Sequence, residues 1–212
     1  MAEKKPTTVA LTRARDEAAA ASTIASKILA VLGEVPPSSK RKHRHPAEAA
    51  RKVANLAARR AAAAAGTLAV PPGPLGWLTI LPELVWVWKI QAQMVADIAA
   101  LYGQKRALTR EQMIYCLFKH TASQAVRDIV VQVGDRLIVR RTTVRALNAV
   151  AQRVGVKVTQ RTLAKSASRW LPVIGAIGVA AYAYYDTAQV ARLAIDLYEH
   201  EVEVEPAGGG DQ

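Results

Sequence analysis

Cysteine occurs once, at position 116, and phenylalanine once, at position 118. A single thiol excludes an internal disulfide and any multi-cysteine zinc site. It fits a chain kept in a reducing compartment. Carboxylates are absent between Arg136 and Tyr185. Charge of either sign is absent from Ala61 to Pro82 and from Trp170 to Tyr185. The first residues, Met-Ala-Glu-Lys-Lys-Pro-Thr-Thr, lack the apolar stretch of a signal peptide, and Ala2 does not accept myristate. The expectation is a cytoplasmic protein.

What is abundant is alanine, at 41 of 212 residues. Alanine favours helix and disfavours strand, so an all-β fold is excluded. An apolar share of 51% likewise excludes a wholly disordered chain. The net charge of +12 is unevenly spread. Residues 1–60 carry +8, 61–135 carry +1, 136–185 carry +9 and 186–212 carry −6. Two cationic blocks therefore flank an apolar middle. Such a field attracts anionic surfaces, either phospholipid or nucleic acid.

The pattern along the chain predicts an all-α domain of about six or seven helices, with two apolar helical hairpin regions (66–102 and 170–198) and flexible termini. Residues 1–45 read as a basic, Ala-rich arm and linker, 46–198 as the helical domain and 199–212 as an acidic disordered tail. Pro46 suits a first helical position, with Glu48 in the first turn. Pro71, Pro72 and Pro74 break the long uncharged run before it can form one membrane-crossing helix. The next helix is expected from Glu83 to Tyr102, with Gly103 ending it. Thr109-Arg-Glu-Gln112 fits a capping box, opening a helix expected to reach Val133. A helix from Leu137 to Val154 should follow, interrupted at Gly155, with Thr159 or Thr162 capping a short one after it. The last helix follows Pro172 and runs to Tyr198. The uncharged run Trp170–Tyr185, 16 residues, would span roughly 24 Å as helix, short of the roughly 30 Å hydrocarbon core. A faint internal repeat aligns Ala92-Gln93 and Leu101-Tyr102 with Ala188-Gln189 and Leu197-Tyr198, and sets Trp86 and Trp88 on Tyr182 and Tyr184.

Candidate anion-binding residues are Arg140, Arg141, Arg145, Arg153, Lys157, Arg161, Lys165 and Arg169. Several are i,i+4 neighbours, where like charges on a helix face repel unless an anionic surface relieves them. The ordinary alternative is a solvated face balanced by carboxylates elsewhere. Trp77, Trp86, Trp88, Trp170, Tyr182 and Tyr184 suit a water–lipid boundary, or else fill a core short of phenylalanine. Gln93, Asp97 and Tyr102 form a polar motif inside an apolar helix, expected to be buried and satisfied by neighbours. Cys116 and His120 share a helix face but lack a third group and an oxyanion device, so no catalytic residues are assigned. Pro172-Val-Ile-Gly-Ala-Ile-Gly178 has no Gly-Lys-Ser/Thr and is no phosphate loop. No metal site or cofactor is expected. Lys40-Arg-Lys-His-Arg44 binds phosphate nonspecifically, but no nucleic-acid motif accompanies it, which makes nucleic acid the weaker partner class.

The stretch Pro72-Gly-Pro-Leu-Gly, Leu81-Pro-Glu-Leu and Gln91-Ala-Gln-Met-Val-Ala-Asp-Ile-Ala up to Tyr102-Gly, with Arg169-Trp-Leu-Pro-Val-Ile-Gly-Ala-Ile-Gly, resembles the EcsC family of bacterial helical proteins. The likeness covers roughly residues 48–198. It implies an α-helical, apolar, membrane-associated protein near a transport system and brings no catalytic residues. The expected function is non-enzymatic: peripheral association with anionic phospholipid at the inner membrane. A membrane protein or a second copy of the chain are further candidate partners. The rival is a soluble helical interaction module whose apolar runs are core.

Overall fold

Helix-favouring alanine and leucine dominate the chain, and six helices result among the described residues. The computed structural model describes residues 8–32, 35–68, 76–127, 129–133, 136–140, 143–166 and 172–205. The helices are α1 (Thr8–Leu32), α2 (Pro46–Leu68), α3 (Gly76–Leu101), α4 (Arg110–Val126), α5 (Val144–Ser166) and α6 (Pro172–Glu199). Three short strands accompany them: β1 (Val130–Val133), β2 (Arg136–Arg140) and β3 (Glu201–Glu205). The molecule is an all-α domain with a small sheet at its side.

α2 lies against both α3 and α6, α1 lies along α5, and α4 closes the bundle against α5 and α6. The main core draws on all six helices and the sheet, with Ile28, Met94, Ile98, Met113, Leu117, Ile129 and Leu197 fully enclosed. The N-terminal arm is thereby corrected. Ala20, Ala21, Ile24, Ala25 and Ile28 give α1 an apolar stripe, and that stripe is core. The contact with α5 is close because Gly155 has no side chain. A Cβ there would stand 2.5 Å from the Ala21 carbonyl oxygen. Gly155 therefore does not interrupt a helix but permits a crossing, and Thr159 returns a hydrogen bond to its carbonyl (2.8 Å) within a continuous α5.

Other boundaries fall where expected. Pro46 opens α2, with Glu48 in its first turn. The Thr109–Gln112 capping box opens α4, with both reciprocal bonds formed (3.3 and 3.0 Å). Gly103 ends α3 at φ +82°, a left-handed conformation open to glycine. α3 begins earlier than Glu83 and carries Pro82 in its second turn, where one ladder hydrogen bond is lost.

The helices expected across 127–143 are replaced by strands. Ile129-Val-Val-Gln-Val and Leu137-Ile-Val are β-branched runs, which suit a pleated, half-buried surface. β1 and β2 pair antiparallel, with Gly134 and Asp135 between them. β3 adds to β2 in parallel, in a register that sets Glu201 beside Arg136 and Glu205 beside Arg140. The acidic tail thus begins as a strand rather than as disordered chain. Its Glu-Val alternation supplies the period, and the arginines of β2 supply the opposite charge.

The repeat at a 96-residue offset has a structural counterpart. α3 and α6 begin 96 residues apart and run side by side. Gln91 meets Thr187, and the Tyr102 and Tyr198 rings lie 6.2 Å apart. Positions 87, 91, 94, 95, 98 and 101 of α3 are buried, as are 183, 187, 190, 191, 194 and 197 of α6.

Candidate functional site

Where α2, α3 and α6 leave the main core, they carry a small core of their own. Ala61 and Ala65 of α2 pack on Val87 of α3 and Ala183 of α6. A Cβ at Gly66 would stand 3.4 Å from the Ala180 Cβ, so alanine and glycine set a tight three-helix approach. Beyond this level α2 and α6 carry no charge, and α3 carries only Glu83. The segment linking α2 to α3 (69–75) is uncharged too. From Lys89 back to Gly76, α3 extends about 20 Å at 1.5 Å per residue.

This end of the bundle shows large apolar side chains to solvent. Trp86 is 55% exposed, Ile177 66% and Tyr185 60%. Val179, Tyr182 and Tyr184 are exposed beside them. Soluble surfaces scatter such residues singly; here six gather at the same end of two adjacent helices, exposed around α6 and on α3. Directly above the small core, the first charged residues are Arg59 and Arg60 on α2 and Lys89 on α3, all exposed, and Asp186 on α6, which is turned inward onto His120. The arrangement is an apolar tip under a cationic collar.

The sequence-expected aromatics divide. Trp86, Tyr182 and Tyr184 are at the surface. Trp88 is not: it is 6% exposed and meets Phe118 edge to face at 5.7 Å, so its interfacial assignment is corrected. The helix turns residues 86 and 88 about 200° apart, which sends one outward and one inward. Trp77 lies on α3 with a side chain outside the described residues, and Trp170 lies outside them altogether.

The expected cationic face is present in part. Arg140 is exposed at the end of β2, and Arg145, Arg153 and Lys157 are exposed on α5. No ion pair reaches these three α5 residues among the described residues. Val150, Ala151 and Val154 occupy the opposite, buried side of α5. Arg161 and Lys165 continue α5, with side chains outside the described residues, as are Arg141 and Arg169 entirely. α5 rests on α1 and α4 rather than on α6, so its cations do not form the collar. Chain connectivity still ties Ser166 to within roughly 20 Å of Pro172 at the tip.

The polar motif acts as a clamp. Asp97 accepts from Ser38 Oγ (2.6 Å) and from Gln93 Nε2 (3.2 Å), while Gln93 Nε2 also donates to the Pro37 carbonyl (3.1 Å). Together they fasten the segment after α1 onto α3. Tyr102 donates to Glu199 Oε1 (3.1 Å), and burial followed by that carboxylate pushes its phenol up to about 12.

A second polar cluster lies between α3, α4 and α6. His120 Nε2 sits 2.6 Å from Asp186 Oδ1 and 2.9 Å from Thr121 Oγ1. Gln91 Nε2 donates to Asp186 Oδ2 (2.8 Å) and to Thr187 Oγ1 (3.2 Å). Gln91 and Thr187 escaped sequence reasoning, since isolated polar residues in apolar helices announce no partner. A nucleophile–base–acid relay needs the acid on one imidazole nitrogen and the nucleophile on the other. Here both oxygens crowd Nε2, and Nδ1 is buried without a partner. Cys116 is fully buried, and desolvation pushes its thiol up to about 12, opposite to what a nucleophilic thiolate requires. The described residues hold no group of three His, Cys, Asp or Glu placed for a metal.

One described segment, Leu84–Leu101, is long and apolar enough to cross a membrane by composition, but 61% of it is buried in the fold. In comparison with known proteins, no family model, no curated protein and no solved structure matches the chain.

Proposed function

We propose that this is a non-enzymatic protein that docks peripherally on anionic membrane by inserting the tip of α2, α3 and α6. The observation that carries the reading is the tip itself. Trp86, Ile177, Tyr182 and Tyr185 are exposed on an end of the bundle where α2 and α6 carry no charge and α3 carries only Glu83, and Arg59 and Arg60 of α2 and Lys89 of α3 are the first cations beyond the small core. Apolar side chains that enter the acyl region and cations that hold headgroup phosphates supply the two signals that stable membrane attachment needs. A tip of about 20 Å reaches into one leaflet and falls short of the roughly 30 Å hydrocarbon core.

The α5 cations Arg145, Arg153 and Lys157, with Arg161, Lys165 and Arg169 leading towards α6, add long-range attraction. A place beside EcsC-family proteins, at the cytoplasmic face of the inner membrane and accessory to a transport system, belongs to the same proposal. It rests on the Pro72–Gly76 and Arg169–Gly178 motifs.

Flotation with phosphatidylglycerol and phosphatidylcholine vesicles tests it. The wild type binds the anionic vesicles more tightly. Trp86→Ser with Tyr182→Ser and Tyr185→Ser loses at least tenfold in affinity. Neutralising Arg59, Arg60 or Lys89 to Gln weakens binding roughly fivefold each, from about 1 kcal/mol per cation near the surface. A monodisperse protein that binds neither vesicle sinks the reading in favour of a soluble interaction module.

A further inference from the structure

The clamp on α3 has a consequence at the opposite end of the bundle. Ser38 and Pro37 are held by Asp97 and Gln93, and the His43 amide donates to the Leu101 carbonyl (2.9 Å). The Lys42 side chain lies over Gly103, its methylenes within 3.0–3.5 Å of where a Cβ would stand. The basic pentamer is therefore not a free linker. It is seated against the end of α3, beside the loop that carries Lys105 and Arg106. Lys40, Arg41, Lys42, Arg44, Lys105 and Arg106 are all exposed there, and no ion pair reaches any of them among the described residues. Three carboxylates nearby whose side chains are described are engaged. Asp97 serves Ser38 and Gln93, Glu48 pairs with Lys52 (2.9 Å) and Glu199 receives Tyr102.

We infer that this surface binds the phosphodiester backbone of a nucleic acid duplex, without base specificity. Four cations on a pre-seated segment and two on the loop beside it match a polyanion, because fixing the segment in advance lowers the ordering cost of binding. The surface shows no large exposed apolar side chain among the described residues, so it lacks the inserting element that a bilayer contact uses. It also lies at the far end of α3 from the tip, about 38 Å along the helix axis, so both surfaces can be occupied at once. The inference does not depend on membrane docking.

Fluorescence anisotropy of a labelled 20-base-pair DNA duplex and of an RNA duplex, with the full chain across a salt series, tests it. Binding to either duplex should weaken with salt at a logarithmic slope of about −5, from six phosphate contacts at about −0.9 each. The variant Lys40→Gln, Arg41→Gln, Lys105→Gln, Arg106→Gln should flatten that slope to about −2. It should keep the thermal melt and the vesicle affinity of the wild type. A second variant, with Arg145, Arg153 and Lys157 changed to Gln, should leave duplex binding nearly unchanged. The inference is overturned by absence of duplex binding, or by loss of duplex binding only in the α5 variant. It is equally overturned by competition in which polyglutamate displaces the protein as well as duplex does, or by loss of vesicle affinity in the first variant.

Discussion

Single atoms decide several features of this chain. Gly155→Ala places a methyl group 2.5 Å from the Ala21 carbonyl oxygen, which is backbone and cannot swing aside. Overpacking of this kind costs roughly 1–3 kcal/mol, and a urea melt of the variant should show it. Cys116 gives a signature in alkali. Its folded-state pKa is raised to about 12 from 9.0 by burial, so the unfolded chain loses this proton first. Stability is full below pH 9 and falls as pH rises towards 12, by about 1.4 kcal/mol per unit at most. Tyr102 and Tyr198, both raised, add the same sign above pH 10. Cys116→Ala should therefore flatten the loss between pH 9 and 10. An unchanged slope there would contradict the burial account.

At the scale of elements, end signals act where the sequence places them. Thr109→Ala removes the α4 cap and should cost about 1 kcal/mol in a denaturant melt. The helices around Pro46, Gly103, Thr109 and Pro172 were legible because caps and breakers are local chemistry. The β-hairpin at 130–140 was not, because a short apolar β-branched run reads as buried helix or strand alike until a partner is known. The role of α1 was hidden for a related reason. Its alanine stripe is weak as hydrophobic signal and gains meaning only from Gly155, more than a hundred residues away. Of the candidate site, Trp86 and Tyr182 could be read from their apolar context. Arg59 and Arg60 could not be grouped with Lys89, since two separate helices bring them together. β3 also tests the account. Truncation after His200 removes the glutamates that the register sets beside Arg136 and Arg140. It should lower thermal stability and raise affinity for anionic vesicles severalfold; unchanged affinity would show that the tail strand does not mask β2.

The whole molecule is polar in the directional sense. Helix ends that carry only Glu83, with exposed aromatics, gather at one end, and seated cations gather at the other, with the shared core between them. Depth measured from inside the bilayer tests this division most directly. With Cys116 replaced by alanine, an environment-sensitive fluorophore is attached to Tyr182→Cys on the tip or to Gln152→Cys on the solvent face of α5. Vesicles of phosphatidylglycerol with brominated acyl chains then report contact with hydrocarbon. The label at 182 should shift to the blue and be quenched by acyl bromine, while the label at 152 stays in water. A label at 182 that remains solvated when the protein is bound to vesicles would contradict insertion of the tip.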